Sequence, residues 1–133
     1  TTNDNFNLLK DEALKGDKIK TNKLLADTVF QAENYIYYLN LINQRMNKLN
    51  EINDLKQNTS NIEEIISNIK PPIFWKDKPI LALQSNKWNK SKLKKALAKT
   101  YEVEMNIKSN SFVHKDLLIK NLIIDLCNEA NSP

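Results

Sequence analysis

From Tyr35 onward the apolar positions Tyr35, Leu39, Ile42, Met46 and Leu49 advance by alternating steps of four and three residues. That spacing is the mark of a helix lying in a bundle seam. Tyr38 and Leu41 widen the stripe, so this helix, expected over residues 32–56, meets neighbours on more than one side. The same period recurs on both sides of it. Phe6, Leu9 and Ala13 mark a first helix over residues 5–15, and Leu24, Leu25 and Val29 a second over 18–31. Gly16 separates them, because glycine accepts the left-handed backbone that closes a helix, and the Asp17 carboxylate can cap the helix that follows.

Beyond the long helix, residues 58–61 form a polar break in which Ser60 can cap a short helix carrying Ile62, Ile65, Ile66 and Ile69. Pro71 and Pro72 end it, since proline has no N–H to donate and pushes its predecessor out of helical backbone. Pro79 fits only a first helical turn, which places the next helix from about Lys78 to Lys87. Asn89 or Ser91 caps a sixth, running to Ser109, with Leu93, Ala96, Leu97, Thr100 and Ile107 on one face. At 100° per residue Glu104 falls in the middle of that face. Its carboxylate needs a partner, and Lys108, one turn on, is the candidate. The last helix, residues 113–128, is apolar nearly all round through Leu117, Leu118, Ile119, Leu122, Ile123, Ile124, Leu126 and Cys127. Such a helix is buried on most sides or meets another subunit. The expected fold is all-α, a compact bundle of about five to seven helices forming one domain over residues 1–133.

Composition narrows the chemistry. The 133 residues hold one glycine, one cysteine and one histidine. Gly16 alone cannot build a phosphate-cradling loop, and His114 with Cys127 leaves too few soft ligands for zinc. No Ser-His-acid set, acid pair or nucleophile stands out, so neither catalysis nor a cofactor is expected. Cys127 among apolar neighbours reads as a buried thiol suited to a reducing cytoplasm. No apolar run approaches the ~18 residues of a membrane span. The opening Thr1-Thr2, without an initiator Met or a basic apolar leader, gives the expectation of a fragment of a longer cytoplasmic protein.

Charge is unevenly spread. Residues 70–99 hold nine lysines against Asp77 alone, a net +8, whereas the segments on either side are each −2, which gives the chain's +4. Lys87, Lys90, Lys92, Lys94, Lys95 and Lys99 crowd the sixth helix and its approach. They either solvate outer helix faces or form a patch for DNA or an acidic surface. Of 20 basic residues only Arg45 is arginine, so the planar fork that reads guanine is nearly absent and sequence-specific DNA reading is not expected.

The segment "KPPIFWKDKP" places Pro71, Pro72, Phe74 and Trp75 ahead of an apolar helix that ends at Trp88, followed by "SKLKKALAKTYEVEMNIK". This order resembles the C-terminal domain of the bacterial DNA polymerase III delta subunit, with Pro71, Pro72, Phe74, Trp75, Trp88, Leu93, Leu97, Glu104 and Lys108 in the matching places. The opening "LLKDEALKGDKIKTNKLLAD", residues 8–27, is similar to the helix, Gly-Asp corner and helix that begin that domain. The turn after Lys108 departs from it, with Ser109-Asn110 where many relatives carry Gly, and Asn tolerates the same backbone.

The resemblance implies a clamp-loader collar. An ATPase-like module upstream would open the sliding clamp, and this helical domain would join the collar formed with the other loader subunits. On that reading Phe74 and Trp75 pack between the long third helix and the helices after it, or else touch a partner directly. Glu104 either pairs within its helix or accepts from a neighbouring one. Tyr35, Tyr38 and Trp88 fall at helical spacing, which favours core packing over base stacking. A different class of function stays open: a small basic helical domain that binds nucleic acid through residues 70–99.

Overall fold

The computed structural model describes residues 2–59, 61–109, 112 and 114–133, and among these it contains seven α-helices, one 3-10 turn and no strand. The helices are α1 (Thr2–Lys15), α2 (Lys18–Asp27), α3 (Tyr35–Leu55), α4 (Ile62–Asn68), α5 (Lys78–Ser85), α6 (Lys90–Ser109) and α7 (Lys115–Asn131), with the 3-10 turn at Ala32–Asn34. α1, α3, α6 and α7 close into a ring of neighbours, α2 lies against α1 and α7, and α4 with α5 covers α3.

The α3 seam is buried throughout, from Tyr35 through Leu39, Ile42, Met46 and Leu49 to Ile52. Tyr38 is buried beside it. Its ring stacks on Phe6 of α1 with centroids 4.3 Å apart, and Phe30 meets both edge-on at 6.1 and 5.8 Å. Such pairs add about 0.5–1.5 kcal/mol beyond the area they bury.

Two element boundaries differ from the sequence reading. The second helix stops at Asp27 instead of Gln31, because Thr28 leaves helical backbone (ψ 129°) and its hydroxyl donates to the Leu24 carbonyl at 2.6 Å. This frees Phe30 to reach the aromatic cluster and leaves Val29 exposed, not in the core. The third begins as a 3-10 turn and becomes α-helical only at Tyr35. Ser60, the named cap of the fourth helix, lies outside the described residues, as do Asn110 of the turn after Lys108 and Val113 at the start of the last helix. Asn61 caps α4 by accepting from the Glu64 N–H at 3.1 Å, and Asn89 caps α6 by accepting from Lys92 N–H at 2.9 Å.

The end of the bundle that holds Gly16 is where the helices are locked together. Gly16 has φ +81°, and the Asp17 N–H reaches back to the Glu12 carbonyl at 3.2 Å, closing α1 in the left-handed turn that glycine favours. Backbone carbonyls near the helix ends are then taken by side chains, most of them from other parts of the chain. Trp88 donates its indole N–H to the Leu14 carbonyl at 2.8 Å, and the Asn131 amide donates to Gly16 at 2.7 Å and to Cys127 at 3.1 Å. Lys92 donates to the Lys87 and Ala130 carbonyls at 3.0 and 3.2 Å, and Lys56 to Ser85 at 3.0 Å.

A Cβ on Gly16 would stand 2.6 Å from Asn131 Oδ1, in a backbone region that costs an L-residue about 1–2 kcal/mol. Gly16→Ala is therefore expected to lower stability by at least about 1–2 kcal/mol in urea unfolding. A variant as stable as the parent would show that this corner is not strained.

Candidate interaction surface

The loop between α4 and α5 combines two prolines, Pro71 and Pro72, with two large rings and is tied down from below. Asp77, the last residue before α5, closes a turn through its N–H to the Phe74 carbonyl at 2.9 Å. Its carboxylate accepts from Arg45 Nη2 at 3.1 Å, while Nη1 of the same guanidinium donates to Gln84 Oε1 at 2.9 Å. Gln84 in turn donates to the Asp11 carbonyl at 3.1 Å. One arginine fork thus joins α1, α3, α5 and the loop, a task suited to guanidinium because its donors are fixed in one plane. Sequence reasoning treated Arg45 only as evidence against base reading. The available signal was a charged residue between Leu41 and Leu49, at the edge of an otherwise apolar seam.

Above this anchor the core-packing expectation for Phe74 and Trp75 is overturned. They do not pack between α3 and the following helices. Phe74 is 62% and Trp75 68% exposed, their centroids are 5.9 Å apart, and the Lys76 ammonium lies 5.3 Å from the Trp75 ring centre. The reason is steric and local. Ile69 turns extended (ψ 143°), and Pro71 and Pro72 carry the chain away from the bundle. Pro71 and Pro72 are exposed as well. A groove of about 530 Å³ opens on the Phe74 side, against α1 and α3, and one of about 420 Å³ on the Trp75 side, between α4 and α5.

The other singled-out residues lie elsewhere. Trp88 is 4% exposed and Leu93 is buried, whereas Leu97 is partly buried. Glu104 meets Lys108 at 2.6 Å within α6, so the partner expected one turn on is the one present. The six lysines of the basic stretch do not form one uniform patch. Lys92 closes helix ends, Lys87 donates to Asn131 at 3.3 Å, Lys90 pairs with Asp54 at 3.0 Å and Lys99 with Asp125 at 3.7 Å. Lys94 and Lys95 point from the outer face of α6. α7 is not buried all round, since Leu117 and Ile124 are exposed on its outer side.

Among the described residues no three His, Cys, Asp or Glu side chains gather as metal ligands, and no helix is long and apolar enough to cross a membrane. Cys127 is buried, and that burial pushes its thiol pKa up.

The family model for the C-terminal domain of the DNA polymerase III delta subunit matches residues 2–126, nearly the whole chain. The chain belongs to this family. No curated protein and no solved structure matches it. In this delta-subunit domain the match takes in the aromatic loop, the Gly16 corner and the α6 stripe alike.

The two tryptophans should behave oppositely. Trp75→Ala is expected to change stability by no more than about 0.5 kcal/mol, whereas Trp88→Ala, which empties a buried site and orphans the Leu14 carbonyl, should cost about 3–5 kcal/mol. Thermal melts of the two variants, with iodide quenching of the remaining tryptophan, check this. Equal losses would contradict the exposure described.

A second expectation concerns alkaline pH. Burial pushes the pKa of Lys10 and of Lys56 down, so in the window below the ordinary lysine value of 10.5 the unfolded chain binds more protons than the folded one. Stability contributed by these groups therefore rises as pH climbs through that window. Burial raises the pKa of Cys127 and of Tyr35, which act oppositely once pH passes their ordinary values of 9.0 and 10.0. In urea unfolding followed as pH climbs toward 10.5, the parent should gain stability relative to Lys10→Met, which removes the Lys10 contribution; parallel profiles would contradict it.

Proposed function

We propose that this delta-subunit domain is an assembly element of the clamp loader: it holds the subunit among its partners in the collar and performs no chemistry of its own. The carrying observation is that Phe74 and Trp75 stand exposed on a loop pinned by Arg45, in a chain whose family is the delta C-terminal domain. Rigid exposed aromatics are the anchors that interfaces use, because they bring large contact area at little conformational cost. The exposed Leu117 and Ile124 on α7 offer further apolar surface to a neighbour. On this reading residues 1–133 act as one domain in the cytoplasm, contact other loader subunits, and leave the sliding clamp to a module upstream. The loader would then place the clamp on DNA during replication.

A specific observation also favours contact with nucleic acid through residues 70–99. Lys76 lies over the exposed Trp75 ring, Lys78 lines the groove beside it and Lys70 precedes Pro71 in the same loop, and aromatic side chains in a basic setting stack on unpaired bases without regard to sequence. Lys94 and Lys95 extend positive charge along α6.

Two measurements separate the readings. Co-purification of the loader subunits with a delta chain carrying or lacking these residues should show loss of the assembly when they are absent. An intact assembly without them would dispose of the collar role. Titration of single-stranded DNA binding against salt should give a steep slope for the second reading, reduced by Trp75→Ala. A flat slope removes it.

A further inference from the structure

The charged residues of α6 divide by what they do. Lys90 pairs with Asp54, Lys99 with Asp125 and Lys108 with Glu104, and Lys92 serves helix-end carbonyls. Lys94, Lys95 and Glu102 remain, exposed and, among the described residues, without an ion pair. These three border an apolar stripe on the outer side of the helix. Ala98, Tyr101 and Met105 stand on it at steps of three and four, the spacing of a seam between two helices, and Tyr101 is 64% and Met105 43% exposed. The buried seam of the same helix, through Leu93, Ala96, Thr100 and Ile107, is a separate one, and α3 and α7 are the long helices packed against α6.

We propose that this outer face of α6 pairs with the same face of a second copy of the chain, the two helices running antiparallel about a two-fold axis. The pattern matches itself in that direction. When the axis lies between Ala98 and Tyr101, the small Ala98 of each copy faces the large Tyr101 ring of the other, and Met105 faces the aliphatic stem of Lys94. Lys95 and Glu102, each directly after a seam position, then meet across the pair twice over, so charges left alone in one chain find partners in the other. A parallel pair would instead set Lys94 and Lys95 level with the same residues of the second copy, and like charges repel. Charge complementarity selects a second copy because both halves of the match stand on one surface. Nucleic acid suits this stripe less well, since the unpaired Glu102 carboxylate sits beside Tyr101 and repels phosphate. The seam spans about two heptads, so the association is weak and depends on concentration. It uses no residue of the aromatic loop and does not rest on the collar reading.

The test uses the full delta chain, free of other loader subunits, in sedimentation across a concentration series. The parent is expected to form dimers. Lys95→Glu and Glu102→Lys each turn both attractive pairs into repulsive ones, and each should weaken dimerisation roughly tenfold with an unchanged melting temperature. An equimolar mixture of the two variants brings opposite charges together again and should recover the parent's affinity. Tyr101→Ala, which leaves every charge in place, should weaken the dimer as well and serves where a charge reversal fails to fold. A parent that stays monomeric at every concentration overturns the proposal. So does a dimer that ignores all three substitutions, or a pair of charge variants that weaken it and do not recover when mixed. A photo-crosslinking amino acid at position 101 that captures another loader subunit, from a chain monomeric when alone, reassigns the face to that subunit and overturns it too.

Discussion

The hydrogen bond from the Trp88 indole to the Leu14 carbonyl is the contact on which the arrangement of the bundle depends. A helix leaves its last carbonyls without partners, and burying them unsatisfied would cost free energy comparable to lost hydrogen bonds. Here α1 ends inside the structure, against the link between α5 and α6. Trp88 fills that space with its ring and satisfies the buried Leu14 acceptor with its N–H. Asn131 does the same for Gly16 from the far end of the chain, and Lys92 ties Ala130 to Lys87. Helix ends that would compete for water are instead capped by one another's side chains. The first, sixth and seventh helices are fixed at one point as a result.

The aromatic loop is held by a second polar crossing, the Arg45 fork. Proline restricts the loop in the unfolded as well as the folded chain, and Arg45 fixes its last residue to α3 and, through Gln84, to α1. The loop can therefore hold Phe74 and Trp75 outward without losing order. Exposing two large rings is costly for a solitary domain and useful for one that meets a partner. The rigidity beneath them means that little further entropy is lost on contact.

Positive charge in this protein serves two purposes that a count of lysines merges. Lys56 and Lys92 give their ammonium groups to helix-end carbonyls, where the negative end of the helix dipole adds to the hydrogen bond. Lys90 and Lys99 pair with acids on α3 and α7 and join α6 to both. Within residues 70–99 what is left is narrower: Lys94 and Lys95 on α6, and Lys70, Lys76 and Lys78 in and beside the aromatic loop.

Most of the secondary structure was legible in the amino-acid order, because a helix writes its buried face as a 3.6-residue period and its ends as Gly, Asn, Asp or Pro. The α3 seam, the Gly16-Asp17 corner, the start of α5 at Lys78 and the Asn89 cap are all local effects, decided within a turn or two of chain. The exposure of Phe74 and Trp75 was not legible, nor was the Arg45 crossing. An aromatic ring carries the same apolar signal whether the fold buries it or leaves it on the surface. Sequence alone settled which segments are helical and which face of each is apolar, since those follow from backbone geometry. Only the tertiary structure decided which apolar residues stayed outside and which cations were spent internally, since both depend on what distant helices bring to the same point.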